Sequence, residues 1–210
     1  MKVIVFGATG TIGKHVVEQS LDQGHEVTAF SRNPDQLETS TQKGLTPFKG
    51  DVTNINDVQS AIVGHDLVCI VLGSGKQRKG TVRSEGTKNI IQSMKAVGVK
   101  RLICQTTLGC GDSNENLNFF WKRIMFGWFL KDVFLDHELQ ERFVSESGLD
   151  WTIVRPGAFK DGEKTGNYKH GFSSKDKTLQ LKISRADVAD FIVQQFDNEH
   201  YLHQRPGLSY

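Results

Sequence analysis

Apolar residues arrive along this chain in short runs that alternate with stretches of helical spacing. The run Val3–Phe6 gives way to Ile12, Val16, Val17 and Leu21, spaced four, one and four apart, and a second run, Val27–Phe30, follows Gly24. Continued to the end, the pattern predicts strands over 2–6, 25–30, 45–49, 66–72, 101–106 and 151–155, with helices over 11–22, 55–62, 83–97, 133–147 and 185–196. Short strands that are apolar on both sides, separated by helices, define an α/β chain. The expected fold is a Rossmann-like, doubly wound, mainly parallel sheet with helices on both faces. With 210 residues and 37% hydrophobic side chains the chain suffices for one such core, so 1–210 is read as a single domain whose carboxyl-terminal part forms the substrate pocket.

One stretch breaks the alternation. Between Gly109 and Lys131 a Gly/Asp/Asn-rich loop leads into Phe119, Phe120, Trp121, Ile124, Met125, Phe126, Trp128, Phe129 and Leu130. Following the fifth strand, this aromatic segment 119–130 reads equally as a wall around a planar substrate and as a helix buried on a core or a dimer face.

Charge narrows the partners. The formal net charge is +2, from 26 basic and 24 acidic residues, which offers no field suited to nucleic acid. The local cluster Lys76, Arg78, Lys79, Arg83 reads as a solvated loop or as a phosphate-steering patch. No apolar run approaches the roughly 20 residues of a membrane span. Met1-Lys2 runs straight into a strand, so a cytoplasmic protein, monomeric or weakly dimeric, is expected. Cys69, Cys104 and Cys110 lack C-x-x-C spacing, and the seven histidines lack the companions of a metal site.

The most informative chemistry lies at the start. Val3–Phe6 enters Gly7-Ala8-Thr9-Gly10-Thr11-Ile12-Gly13 and then a helix, the arrangement of a dinucleotide-binding loop. Gly7 permits the turn, Gly10 lets backbone approach a pyrophosphate, Gly13 lets the helix pack on the strand, and the helix N-terminus favours the anion. The second strand ends in Ser31-Arg32-Asn33-Pro34, without the acid that usually holds an NAD ribose. A hydroxyl and a guanidinium there suit the 2′-phosphate of NADP.

The spacing G-x-x-G-x-x-G resembles the extended and atypical short-chain dehydrogenase/reductases. Val71-Leu72-Gly73-Ser74-Gly75, Ser84-Glu85-Gly86-Thr87-Lys88-Asn89-Ile90, Asp136-His137, Glu146-Ser147-Gly148-Leu149 and Thr165-Gly166-Asn167-Tyr168 are similar to the biliverdin reductase B, or NADPH flavin reductase, branch of that family over the whole chain. The resemblance implies that Thr9, Gly10, Thr11 and Ile12 line the pyrophosphate, that Ser31 and Arg32 take the 2′-phosphate, and that Asp51, beside Val52, meets the adenine amino group. It further implies that Leu72 and Gly73 border the adenosine ribose, that Cys104, Gln105 and Thr106 approach the nicotinamide, and that Pro156 with Gly157 holds its amide. Thr106 stands at the family's active-site serine and His137 at a pocket histidine. Ala158 replaces a second histidine, and Gln36 a second basic residue.

A Tyr-x-x-x-Lys dyad, which protonates a carbonyl oxygen during hydride transfer, is missing: Phe172 and Arg205 follow Tyr168 and Tyr201 at the fourth position, and Tyr210 ends the sequence. Flavin reduction needs no such acid, because hydride goes to a ring nitrogen and water meets the remaining charge. The expected activity is therefore NADPH-dependent reduction of a planar conjugated acceptor, with flavin as substrate rather than prosthetic group and with Thr106 and His137 orienting the rings. A non-catalytic NADP sensor, resembling nitrogen-metabolite repressor-like proteins, is the alternative. A sugar-nucleotide epimerase fits less well, for want of the dyad and of chain to build a second lobe.

Overall fold

A computed structural model of the chain describes residues 1–37, 42–73, 80–119, 123 and 130–210. The expected elements appear within about two residues of their predicted ends: β1 (Lys2–Phe6), α1 (Gly13–Asp22), β2 (Glu26–Ser31), β3 (Leu45–Lys49), α2 (Ile55–Ile62), β4 (Leu67–Ile70), α3 (Val82–Val97), β5 (Arg101–Gln105), α4 (Lys131–Ser145), β6 (Asp150–Pro156) and α5 (Arg185–Gln194). Four short strands were not foreseen: β7 (Ala158–Lys160), β8 (Lys169–His170), β9 (Lys182–Ser184) and β10 (Gly207–Ser209). At two or three residues each they are too brief to carry a periodicity. The basic residues Lys76, Arg78 and Lys79, and the aromatic segment except Phe119, Arg123 and Leu130, lie outside the described residues.

The main sheet runs β3-β2-β1-β4-β5-β6-β10-β8, parallel until β8 pairs antiparallel with β10 at the edge. The order in which successive strands are added therefore reverses between β1 and β4, which are paired in parallel through Val3↔Leu67 to Phe6↔Ile70. Helices on either side of such a switch point leave a crevice at the carboxyl ends of the strands.

Alternation along the strands builds both cores. Val3, Val5, Val27, Ala29, Leu67, Cys69, Ile103 and Val154 face a layer containing Val16, Val17, Val188 and Ile192 of α1 and α5. Ile4, Phe6, Phe30, Val68, Ile70, Leu102, Cys104 and Ile153 face Val58, Ile62, Ile90, Met94 and Val144 of α2, α3 and α4. β3 departs from the expected two-sided burial. Its residues are half-buried or exposed, and Pro47, which lacks an N–H, is tolerated because β3 is the sheet's outer strand.

The last third of the chain is tied down by one carboxylate. Asp187, wholly buried at the start of α5, accepts from Thr165 N–H at 2.7 Å, Thr165 Oγ1 at 2.8 Å, Gly166 N–H at 2.9 Å and Tyr210 Oη at 2.5 Å. Ser184 Oγ caps α5 by accepting from the Asp187 N–H at 3.0 Å. Burial raises the Asp187 pKa, yet the Tyr210, Gly166 and Thr165 donors outweigh it and hold the group below its ordinary value. The ionised form therefore stabilises the fold above the usual carboxylate range, and that contribution is lost as pH falls through the lowered value. Asp187→Ala should cost about 3 kcal/mol in urea unfolding, as expected when several buried donors lose a charged acceptor.

Candidate functional site

The turn after β1 is drawn tightly against the sheet. Gly7 has φ of +92°, and a Cβ there would lie 2.6 Å from the Val71 carbonyl oxygen; one on Gly13 would lie 2.1 Å from the Gly7 carbonyl oxygen. Glycine is required at both points. Gly10 N–H donates to Gly7 O at 2.9 Å, closing the turn. α1 then begins with no side-chain cap and no acidic residue in its first turn. Its leading N–H groups are thus presented at the crevice without a protein carboxylate competing for them, which suits a pyrophosphate.

At the end of β2, Ser31 is buried with its hydroxyl lacking a hydrogen-bond partner among the described residues, and Arg32 is exposed. Asp51 is held below the ordinary carboxylate range chiefly by the N–H and hydroxyl of Thr53, at 2.9 and 2.8 Å, with nearby Arg32 adding to the effect. An orphaned hydroxyl and an exposed guanidinium are chemically fit to meet a phosphate.

From this crevice a cavity of about 340 Å³ runs along the carboxyl ends of the strands. Gly10, Thr11 and Ile12 form one side with Val71, Leu72 and Gly73; Gln105 to Leu108, Gly157 to Phe159 and Leu181 form the floor; Val133, Phe134 and His137 of α4 close it. The lining joins the amino-terminal loop to the carboxyl-terminal segment, so the pocket is not made by the latter alone.

Several expected contacts fall elsewhere. Cys104 points into the α2–α3–α4 core, fully buried, because alternation on β5 turns it away from its neighbours that line the cavity. Its thiol is pushed well above its ordinary range by burial and then by Glu141. Pro156 is set back, and Gly157 and Ala158 take the cavity wall instead. Val52 packs in the core with its carbonyl accepting from Asn89 Nδ2 at 3.0 Å. The three tyrosines lie away from the cavity, with Tyr168 on Asp190, Tyr201 on His170 and Tyr210 on Asp187.

The two expected orienting residues sit at the cavity with their polar atoms already engaged. Thr106 is fully buried, and its hydroxyl donates to Glu141 Oε1 at 2.7 Å. Arg155 grips the same carboxylate through Nε at 2.9 Å and Nη2 at 2.6 Å, and reaches Asp112 through Nη1 at 2.7 Å. The hydroxyl proton is thus committed away from any ligand. His137 is 6% exposed, with Nδ1 3.2 Å from Gln140 Oε1, while Gln140 Nε2 donates to Thr87 Oγ1 at 3.0 Å. Burial, and then the Arg83 cation, lower its pKa from 6.5 to about 3. Its imidazole is neutral at physiological pH and is no general acid.

Apart from His137, the inward face of α4 was missed from sequence. Asp136, His137, Gln140, Glu141 and Val144 are buried, while Leu135 is half exposed. Asp136 accepts from the N–H groups of Arg83 and Ser84 at 3.3 and 3.1 Å, capping α3 from a neighbouring helix, and its carboxylate lies 3.5 Å from the Arg83 guanidinium. The available signal was the recurrence of polar residues at helical spacing opposite Leu135.

The unfolded chain protonates His137 near 6.5 and the folded chain only near 3, so stability falls as pH drops below about 6.5. His25 and His170, also lowered by burial, act in the same direction. His137→Gln should flatten the pH dependence of urea midpoints between pH 4 and 6.5. Glu141→Ala, which leaves Arg155 and Thr106 without their acceptor, should cost about 3–5 kcal/mol in the same measurement at neutral pH.

Comparison with known proteins agrees with this geometry. An uncharacterised chloroplastic protein of Arabidopsis thaliana is 30% identical over 206 residues, covering 92% of this chain and 71% of its own length. ChuY of Escherichia coli O157:H7, described as an anaerobillin reductase, superposes with a TM-score of 0.82 at 26% identity, over 100% of this chain and 97% of its own. An oxidoreductase from Lactococcus lactis, ylbE, shares the fold with a TM-score of 0.83 at 22% identity, over 100% and 90%. A family model described as NAD(P)H-binding matches residues 7–199, and the chain belongs to that NAD(P)H-binding family.

Proposed function

We propose that this protein is an NADPH-dependent reductase of planar conjugated acceptors, a flavin such as FMN or riboflavin foremost, with biliverdin or a quinone in the same class. The observation that carries the reading is an apolar cavity joined to the glycine loop in which Thr106 and His137, the two residues expected at the acceptor, have no proton to give. A carbonyl reductase needs an acid beside its oxyanion. Here Thr106 donates to Glu141, His137 is neutral, and the tyrosines are elsewhere. A conjugated ring that accepts hydride and takes its proton from water needs only to be held in place. The similarity to a protein described as a reductase supports the same class.

Bound NADPH supplies the hydride. Thr9, Gly10, Thr11 and Ile12, with the start of α1, would hold its pyrophosphate; Ser31 and Arg32 would hold the 2′-phosphate, and Asp51 would meet the adenine. Leu72 and Gly73 would border the adenosine ribose, and the Gln105–Thr106 backbone with Gly157 would border the reactive ring. Glu141 and Arg155 fix Thr106, and His137 closes the cavity without charge.

Purified protein should oxidise NADPH, followed at 340 nm, when riboflavin, FMN, biliverdin or a quinone is added, and should use NADH poorly. NADPH binding without turnover on any of these would instead favour the sensor. Arg32→Ala should raise KM for NADPH about tenfold or more, the size of a lost charged hydrogen bond, with little change for NADH.

A further inference from the structure

The cavity is lined chiefly by aliphatic side chains and backbone, and among its described lining residues the aromatic rings are Phe134 and Phe159. Phe134 belongs to α4 and is half-buried. Phe159 differs: it lies on the three-residue strand β7, borders the cavity, and remains 40% exposed. A large ring left partly in water beside an apolar cavity is apolar surface available to a ligand.

Its surroundings hold it in place. The Arg185 guanidinium carbon stands 5.7 Å from the ring centroid, within reach of a cation–π contact, and Arg185 Nη1 is fixed by Asp161 Oδ1 at 2.7 Å. The strand beneath is closely packed, since a Cβ on Gly157 would lie 2.7 Å from the Leu181 carbonyl carbon, and β7 is paired to β9 from Ala158↔Lys182 to Lys160↔Ser184. Ala158, beside it, lines the cavity with a small side chain. Thr106 and His137 offer no free proton, and the nearby cations Arg83 and Arg185 are engaged by Asp136 and Asp161.

We infer that Phe159 is the specificity-determining residue for the acceptor: a platform, steadied by Arg185, on which a flat conjugated ring of isoalloxazine type stacks. This rests on the reductase reading and names the side chain that selects planar acceptors within it. Offset stacking between rings contributes beyond the area it buries, so an aliphatic residue of similar hydrophobicity does not replace it.

The test measures binding rather than turnover. Riboflavin is titrated with protein saturated in NADP⁺, and quenching of flavin fluorescence reports stacking. Phe159→Ala and Phe159→Leu should each raise the riboflavin Kd about tenfold, on the scale measured for base–aromatic stacking, while Phe159→Trp stays within about twofold of the parent. The NADP⁺ affinity and the melting temperature of all three should match the parent, since the ring is partly exposed. Unchanged riboflavin affinity in Phe159→Ala, or a Phe159→Leu variant that binds as the parent does, would overturn the assignment while leaving the reductase reading intact. Failure of the parent protein to bind any of riboflavin, FMN, biliverdin or a quinone would remove both.

Discussion

Where α1 meets β1 there is no room for a side chain. The Gly13 Cα stands so close to the Gly7 carbonyl that any Cβ would overlap it, and Gly7 itself is pressed on the Val71 carbonyl at the end of β4. This contact sets the height at which α1 starts and the angle at which it leaves the sheet. It also ties the end of β1 to both of its neighbours, through Gly7 N–H on Phe30 O of β2 and, across the switch point, the Val71 N–H after β4 on Phe6 O. The crevice and the uncapped first turn follow from that approach, because a helix starting further out would have neither.

A second ordering principle works on the opposite face. α4 buries an aspartate, a histidine, a glutamine and a glutamate, and each finds a partner on another element or along the helix: the α3 terminus and Arg83, Gln140, Thr87, and Arg155 with Thr106. Burying charges this way is costly unless every one is paired. The result is a polar seam under the cavity that fixes α4 by direction as well as by burial. It leaves the cavity surface apolar because its polar atoms are turned inward to one another.

Most of the architecture was legible in the sequence because each long element buries a contiguous set of apolar residues with its own period. The glycine loop was legible because its spacing reflects contacts that only glycine survives. β7 to β10 were not, since two or three residues carry no period and their pairing is set by distant strands. His137 was placed at the pocket by family resemblance and does border the cavity, but its burial was not legible beside Asp136 and Glu138, and the Glu141–Arg155 pair went unseen. The partners lie 14 positions apart in sequence and meet only once β6 packs under α4. Cys104 was placed one side of β5 too far, since a position at a strand end does not say which face its side chain takes until the register is known.

Asp136 gives the cavity wall a mechanical property. Its carboxylate sits on the first turn of α3 while the next residue, His137, borders the cavity, and Arg83 both touches that carboxylate and lines the same space. The wall is therefore shared by two helices pinned together at one carboxylate, and a molecule resting on it bears on both. Arg83, on the first turn of α3, and His137, on α4, both border the cavity, so a molecule there touches the two helices that this single carboxylate joins.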